Sequence, residues 1–392
     1  MLVPTELIYV ALLFALFVLP RLLQRYSFPA AISSFALGAG VGLGLGWFGH
    51  DTTLTLLASF GITALFLFAG LEVDFESLRG DVVVLLQHLA LRVLLLGAGT
   101  AAAMEFGGLE ARPAIILALA LFTPSTGFIL DSLAALGLTA EERRWVKSKA
   151  IATELLALLV MFATLQSTSA SRFASSAAAL LAIVIVLPVL FRVFARFVIP
   201  HAPRSEFAFL LMVALLCAYA TRALGVYYLV GAFVVGVAAQ RFRMQLPALA
   251  SEQMIHAVEM FASVFVPFYF FGAGLHVRRE DLSWAALAWG TGFVALVLPL
   301  RLLVVTTHRR IALGEPFPDA LRVAVPMLPT PVFGLVLAGI LRDRFAVGPE
   351  IVGGLTLYTV VSTLLPSFVH RGVTASGTEP HAPQSEGDSG PA

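Results

Sequence analysis

Thirteen largely apolar stretches, most of them about 20 residues long, follow one another along the chain between residues 5 and 369. A helix that crosses a bilayer needs about 20 largely apolar residues, because lipid offers its backbone polar groups no partner. The stretches lie at 5–24, 29–49, 53–71, 81–104, 112–136, 147–168, 174–199, 206–222, 226–240, 252–275, 283–307, 317–341 and 349–369. They predict an all-α integral membrane protein with about thirteen transmembrane helices, in one transmembrane domain over residues 1–371.

The composition excludes a soluble protein of this size. Hydrophobic residues make up 59% of the chain and charged residues 12%, whereas a soluble domain carries roughly 25% charged residues. The net charge of +1 gives no basic field for a nucleic acid. We therefore expect the lipid bilayer as the surrounding medium and no nucleic-acid partner.

Basic residues are distributed unequally between the two predicted sides of the membrane. Fifteen Lys and Arg residues follow odd-numbered stretches, and seven follow even-numbered ones. The side richer in Lys and Arg is normally cytoplasmic, which predicts an external N-terminus and a cytoplasmic C-terminus. Residues 372–392 are polar, with Gly, Ser and Pro throughout, and we expect them to form a disordered cytoplasmic tail.

One segment of the chain occurs twice in related form. The sequence AGLEVDFESL at Ala69–Leu78 recurs as AGLHVRREDL at Ala273–Leu282. One stretch further along, each copy has an arginine inside an apolar run, Arg92 in the first and Arg301 in the second. The two copies lie seven stretches apart. Because seven is odd, the second copy enters the membrane in the opposite orientation.

A Thr-Pro pair interrupts the next stretch of each copy, at Thr123-Pro124 and at Thr330-Pro331. Proline removes a backbone donor and breaks a helix, and freed carbonyls are tolerated in lipid only where they line a cavity or bind something. Two such breaks predict inverted repeats over about 29–168 and 226–369, each with one discontinuous helix, as in secondary transporters. The alternative is a pair of proline kinks that serve packing.

An acidic residue, Glu154, lies within the apolar sequence KAIATELLALLVMF. A charged side chain in the bilayer interior costs at least ~2.5 kcal/mol, so it normally faces protein or water and has a function. Glu154 is therefore the main candidate for binding an ion or a proton, and the adjacent Thr153 offers a second oxygen. The alternative is a carboxylate that pairs with an arginine for packing, or one that reaches the cytoplasmic surface.

Arg301 lies in the middle of the apolar sequence LVLPLRLLVV. An arginine keeps its proton in a protein, so Arg301 must find an anion, and the alternative to a role in transport is a purely stabilising pair. We expect Arg92 and Arg322 to be structural or interfacial. His88 and His256 show no ligand spacing and are expected to be structural, so no soft-metal site and no cofactor are predicted.

Seven segments resemble a known family. In chain order they are RLLQRYSFPAAISSFALGAGVG, ITALFLFAGLEVDFESLRGD, TPSTGFILDSLAALG, KSKAIATELLALLV, GVYYLVGAFVVGV, PFYFFGAGLHV and ALRVAVPMLPTPVFGLVLAG. Their order and spacing over roughly residues 5–369 resemble the transmembrane domain of the monovalent cation/proton antiporters, in the second cation/proton antiporter family. The resemblance implies crossed, unwound helices at Thr123–Gly127 and Pro329–Phe333, and a homodimer. We expect the inner (plasma) membrane of a bacterium as its location.

The resemblance also implies roles for three residues. Glu154 takes the place of the ion-binding aspartate, Thr153 that of the polar or acidic residue before it, and Arg301 that of an intramembrane Lys or Arg. The pair here is Thr-Glu, where the family normally has aspartate preceded by Asn, Gln or another Asp. Arg301 is expected to offset negative charge or helix ends near the crossing.

These observations predict a proton-coupled antiporter for a monovalent cation, with Na⁺ favoured and K⁺ or Li⁺ as the other candidates. Cation and proton would compete for the Glu154 carboxylate, which would face each side of the membrane in turn. Because Thr153 does not ionise and Arg301 stays protonated, the predicted exchange is one for one and electroneutral. A hard cation prefers oxygen ligands. The predicted oxygens belong to Glu154, Thr153, Thr123, Ser125, Thr126 and Thr330.

Other functions remain open from the sequence. A symporter for an organic anion, coupled to sodium, would use Arg301 and the Thr-Pro sites for a carboxylate substrate. A cation channel or a non-transporting protein on the same fold are further alternatives. A membrane enzyme is the least favoured class, because no nucleophile–base pair or metal site is visible.

Overall fold

Helices account for all the regular structure in the described residues, and no strand occurs among them. The structure is a computed structural model and describes residues 5–49, 51–73, 82–133, 137–202, 205–224, 228–241 and 251–376. The α-helices are α1 (Thr5–Gln24), α2 (Ala30–Leu45), α3 (Thr52–Leu71), α4 (Val82–Gly107), α5 (Ala111–Phe122), α6 (Thr126–Ser132), α7 (Ala140–Gln166), α8 (Ala170–Phe197), α9 (Glu206–Ala223), α10 (Tyr228–Arg241), α11 (Glu252–Leu275), α12 (Trp284–Leu313), α13 (Phe317–Ala324), α14 (Pro331–Phe345) and α15 (Pro349–Ser376). The all-α prediction is confirmed.

Each of the thirteen predicted stretches coincides with a helix or a pair of helices. Ten helical segments of the described chain are long and apolar enough to cross a membrane, and α5 with α6 is one of them. The helices α13 and α14 are bent by 48° at the break between them, and counting this pair as one further span gives up to eleven spans. The helices α2 and α10 are apolar but shorter, so the count of thirteen spans stays a prediction.

Parts of two sequence predictions fall outside the described residues. Helix α15 continues to Ser376, and residues 377–392 of the predicted tail are not among the described ones. Three of the basic residues behind the predicted orientation also lie outside the described residues, namely Arg79, Arg204 and Arg243.

The helix that carries Glu154 starts with a reciprocal cap. The Thr139 hydroxyl accepts a hydrogen bond from the Glu142 backbone N–H (3.2 Å), and the Glu142 carboxylate accepts one from the Thr139 N–H (2.7 Å). This capping box satisfies two backbone donors at the start of α7. The second carboxylate oxygen of Glu142 accepts a hydrogen bond from Arg322 in α13 at 2.5 Å, so the start of α7 is also tied to the second broken helix.

The helices form two groups that pack mainly within themselves. The core group consists of α4–α7 and α12–α15, and the flanking group of α1–α3 and α8–α11. Contact between the groups is concentrated where α3 meets α6, α2 meets α15 and α7 meets α8. Both broken helices and the Glu154 helix belong to the core group.

The repeated AGL motif brings helices of the two repeats into close contact. Gly274 in α11 faces the backbone of α2, where a Cβ atom would lie 2.1 Å from the Phe35 carbonyl oxygen. Gly70 in α3 faces α10 in the same way, and a Cβ there would lie 2.4 Å from the Phe233 carbonyl oxygen. Small residues let membrane helices approach in this manner, so the flanking group is built from two equivalent contacts.

We expect Gly274→Ala to destabilise the protein and Gly40→Ala to leave it unchanged or slightly more stable. A methyl group at Gly274 meets backbone atoms, and such overpacking costs about 1–3 kcal/mol. A Cβ at Gly40 in α2 meets no atom within 4 Å, and replacing a helical glycine there gains about 0.5–1 kcal/mol. The check is the thermal unfolding midpoint of each variant in detergent. Equal unfolding midpoints for the two variants would contradict the close approach of α11 and α2 at Gly274.

Candidate functional site

Two helices of the core group are interrupted in the apolar interior. Helix α5 ends at Phe122 and α6 begins at Thr126. In the second repeat, α13 is followed by a 3-10 turn at Val325–Met327, and α14 begins at Pro331. The proline nitrogens lack the N–H that a continuous helix requires, so both interruptions lie where the sequence predicts them.

The two interruptions cross and are hydrogen-bonded to each other through Ser125. The Ser125 N–H donates to the Pro329 carbonyl oxygen at 2.9 Å. Its hydroxyl oxygen accepts from the backbone N–H groups of Val332 (3.0 Å) and Phe333 (3.4 Å). The first N–H groups of a helix have no partner within it, so Ser125 of one repeat caps the broken helix of the other.

Arg301 binds the carbonyl ends of both broken helices. Its Nη1 donates to the carbonyl oxygens of Leu121 (3.2 Å) and Leu328 (2.9 Å) and to the Tyr358 hydroxyl (2.8 Å). Its Nη2 donates to the Met327 carbonyl oxygen at 2.6 Å. The Tyr358 hydroxyl in turn donates to Leu121 at 2.7 Å. A buried cation thus meets carbonyl groups that carry the negative end of a helix dipole, the arrangement expected if Arg301 offsets helix ends.

Glu154 lies beside the first interruption and is 2% exposed. Its carboxylate interacts with the backbone N–H and the hydroxyl group of Thr126, the first residue of α6. Glu154 Oε2 and Thr126 Oγ1 are buried and have no hydrogen-bond partner of good geometry among the described residues. The two atoms are oxygens, the ligand type that sodium and similar cations prefer, so the residues present fit a small monovalent cation as substrate.

The hydroxyl groups of two other predicted ligands have hydrogen-bond partners of their own. The Thr153 hydroxyl donates to the Lys149 carbonyl oxygen at 2.7 Å and lies 3.2 Å from His88 Nε2. The Thr330 hydroxyl lies 3.0 Å from the hydroxyl of Ser362 in α15. Thr123 is buried at the end of α5. Thr126 therefore lies beside the Glu154 carboxylate and Ser125 caps α14, and the roles of all six residues as ion or proton ligands stay predictions.

Two further residues, Tyr358 and Arg92, contact the helix ends at the crossing. Tyr358 has no recognisable motif around it, and a lone tyrosine in an apolar run does not indicate a contact with another helix. Arg92, expected to be structural or interfacial, has its Nη1 3.4 Å from the Phe122 carbonyl oxygen, a contact that fits a structural role. It thus lies at the end of a broken helix, as Arg301 does. The repeat itself, which matches Arg92 to Arg301, was the signal that could have revealed this.

The family model described as "Sodium/hydrogen exchanger, transmembrane" matches residues 10–374. The chain belongs to the sodium/hydrogen exchanger family. This membership confirms the resemblance found in the sequence. A curated relative of the exchanger, "Probable Na(+)/H(+) antiporter 3" of Methanocaldococcus jannaschii, is 37% identical over 75 residues, a segment that spans 19% of this chain and 19% of the relative.

Solved structures share the exchanger's fold. A structure of the sodium proton antiporter MjNhaP1 from Methanocaldococcus jannaschii at pH 8 has a TM-score of 0.67 and 13% identity, over 94% of this chain and 96% of that one. An electron-microscopy structure of the same antiporter also has a TM-score of 0.67 and 13% identity, over 96% and 97% of the two chains. The likeness confirms the fold class of the exchanger.

We expect Arg301→Ala to destabilise this exchanger strongly, and Arg301→Lys to destabilise it less. Alanine leaves the carbonyl oxygens of Met327 and Leu328 without their buried donor, at about 1–3 kcal/mol for each group. Lysine keeps the charge but lacks the planar fork of donors. Thermal unfolding in detergent, with Arg310→Ala on the exposed face of α12 as the control, measures the difference. Equal stability of Arg301→Ala and the control would contradict the role described for Arg301.

Proposed function

We propose that this protein exchanges a monovalent cation, with sodium favoured, for a proton across a membrane, and that Glu154 binds both in turn. The observation that carries the proposal is a buried carboxylate beside Thr126, with Glu154 Oε2 and Thr126 Oγ1 both lacking a hydrogen-bond partner among the described residues. Family membership and the sodium/proton antiporters named among the similar proteins support sodium as the cation.

Competition for one carboxylate accounts for the coupling. An ionised carboxylate removed from water is unfavourable unless a partner neutralises it. The groups named beside the Glu154 carboxylate are the uncharged N–H and hydroxyl of Thr126, so a proton or a mobile cation would serve as its neutralising partner. Each would displace the other, and the empty carboxylate would cross the membrane interior at high cost.

The division into two helix groups supports alternating access. A cavity of about 580 Å³ lies between them and is lined by Thr63 and Tyr269 of the flanking group and by Val336 and Thr356 of the core group. The mouth of the cavity carries charged residues such as Asp51. A movement of the core group relative to the flanking group would close this cavity and open another on the opposite side.

The proposed orientation follows from the distribution of basic residues. With the N-terminus outside and the C-terminus in the cytoplasm, Asp51 and the cavity lie on the outer side. We further propose a homodimer in the inner membrane of a bacterium, as the resemblance to the antiporter family implies.

The contacts of Arg301 weigh against the organic-anion symporter. Both Nη atoms of Arg301 are occupied by carbonyl and hydroxyl oxygens of the protein. A carboxylate substrate would have to displace these bonds, which hold the two broken helices together. The cation antiporter needs no such rearrangement.

We expect Glu154→Gln to abolish cation-dependent proton exchange while the protein remains folded. Glutamine keeps the size of the side chain and removes the exchangeable proton, whereas Glu154→Asp keeps the carboxylate and should retain partial activity. The measurement is the collapse of an imposed pH gradient in proteoliposomes when Na⁺, K⁺ or Li⁺ is added. Glu105→Gln, a matching change at an exposed position of α4, serves as the control and should behave as wild type.

Two results of this experiment would overturn the proposal. Exchange by Glu154→Gln at the wild-type rate would exclude the carboxylate mechanism. Cation flux without obligatory proton movement in the wild-type protein would favour a channel instead.

We also expect the exchange to be one proton for one cation and insensitive to voltage. The neighbour of Glu154 is Thr153, which does not ionise, and Arg301 keeps its proton throughout. A single titratable group carries either one proton or one monovalent cation, so no net charge moves in a cycle. The measurement is electrical recording on a solid-supported membrane. A cation-evoked current from the wild-type protein that is absent in Glu154→Gln would show that more than one charge is exchanged for each cation, and it would contradict a mechanism with one carboxylate.

A further inference from the structure

A salt bridge joins the two helix groups at the end of the protein opposite the mouth of the cavity. Helix α3 of the flanking group runs for 20 residues from Thr52, next to Asp51 at the cavity mouth, to Leu71. A rise of 1.5 Å per residue places the two ends of α3 about 30 Å apart. Glu72 follows the far end, and its carboxylate pairs with the Lys147 ammonium group on α7 of the core group.

Apolar packing closes the protein at this same end. The cavity lining on α3 extends from Leu54 to Thr63, which is the first half of the helix. In the second half, Leu65 packs against α6 so closely that a Cβ atom on Gly127 would lie 2.8 Å from Leu65 Cδ1. Ala69, one turn before the end of α3, is buried in an apolar cluster shared with α7. The two groups are therefore separated at one end of α3 and packed together at the other.

The salt bridge contributes to the contact between the groups and not to the stability of α3 itself. Glu72 is the C-cap residue of α3. A negative charge is unfavourable there, because the free carbonyl groups carry the negative end of the helix dipole. Its partner on α7 offsets this charge, and both side chains are partly shielded from water. The pair formed by Arg322 and Glu142, by contrast, lies within the core group.

We propose that the salt bridge between Glu72 and Lys147 is a latch that favours the conformation with the cavity open. The inference rests on the proposed alternation between two access states. A movement of the core group that opened the packed end would carry α7 away from α3 and separate the two charges. A contact made in one state only shifts the equilibrium between the states by its own interaction free energy.

The latch would control access to Glu154 without contacting it. Lys147 precedes Glu154 by seven residues, about 10 Å along the axis of α7, so the latch and the carboxylate move together on one helix. The predicted orientation places the latch in the cytoplasm and the cavity outside. Breaking the latch should therefore increase the fraction of molecules that are open to the cytoplasm.

The reactivity of a single thiol measures this fraction. Cys217, the one cysteine of the chain, is replaced by alanine, and Ala69→Cys places a thiol in the packed half of α3. Protein in nanodiscs is treated with N-ethylmaleimide, which is uncharged and so insensitive to the altered local charge. The thiol reacts only when the packed end opens. We expect Lys147→Gln and Glu72→Gln each to raise the reaction rate about two- to fivefold, the range that partly exposed ion pairs supply.

Three comparisons separate the latch from a general loosening of the protein. Arg322→Gln breaks an ion pair within the core group and should leave the rate of the Ala69→Cys thiol unchanged. Exchanging the charges, with Glu72→Lys and Lys147→Glu in one protein, should return the rate to nearly that of the original pair. A second thiol, introduced by Thr356→Cys in the lining of the cavity, should react no faster when the latch is broken.

Two results would overturn the proposal. One is an unchanged rate of the Ala69→Cys thiol in both Gln variants, and the other is an equal rise at Thr356→Cys, which would indicate loss of packing throughout. The thiol reaction requires no ion binding, so its outcome is separate from that of the exchange assay. Wild-type exchange by Glu154→Gln would exclude the carboxylate mechanism and leave the measured effect of the latch unaltered.

Discussion

The site depends on the contact between one guanidinium group and the carbonyl ends of two broken helices. Interrupting a helix in a bilayer frees backbone oxygens that lipid cannot satisfy, and two interruptions at one crossing free two sets of such oxygens. Arg301 supplies donors to both ends at once, with Tyr358 as an auxiliary donor. Because arginine keeps its charge at all accessible pH values, the crossing remains intact when the neighbouring carboxylate gains or loses a proton.

A second consequence is that the fixed positive charge of Arg301 and the carboxylate proposed to bind ions occupy different places. The fixed cation is engaged by carbonyl oxygens, and the carboxylate of Glu154 interacts with the uncharged Thr126. A permanent Arg–Glu pair would hold the carboxylate ionised and oppose its neutralisation by any mobile ion. In the proposed mechanism, this separation would let a proton or a cation neutralise Glu154.

The sequence was informative where a local property determines the structure. Apolar length predicted the helices, the Thr-Pro pairs predicted both interruptions, and the inverted repeat predicted that Arg92 and Arg301 lie in related helices. It was uninformative where a partner is distant in the chain. The Ser125 hydroxyl was predicted as a cation ligand, but its role as a cap depends on Val332, 207 residues away. Likewise, nothing in the sequence relates Glu72 to Lys147, 75 residues away.

The cap that Ser125 provides also determines when the site can be assembled. Its partners at Val332 and Phe333, and the Arg301 bond to Leu121 across 180 residues, join halves of the chain that a ribosome produces at different times. When the first repeat enters the membrane, its broken helix has Arg92 near its carbonyl end but lacks the Arg301 donor to Leu121 and the contact of Ser125 with the second repeat. The crossing therefore forms late in biogenesis, and the first interruption must be sheltered from lipid until the second repeat is inserted beside it.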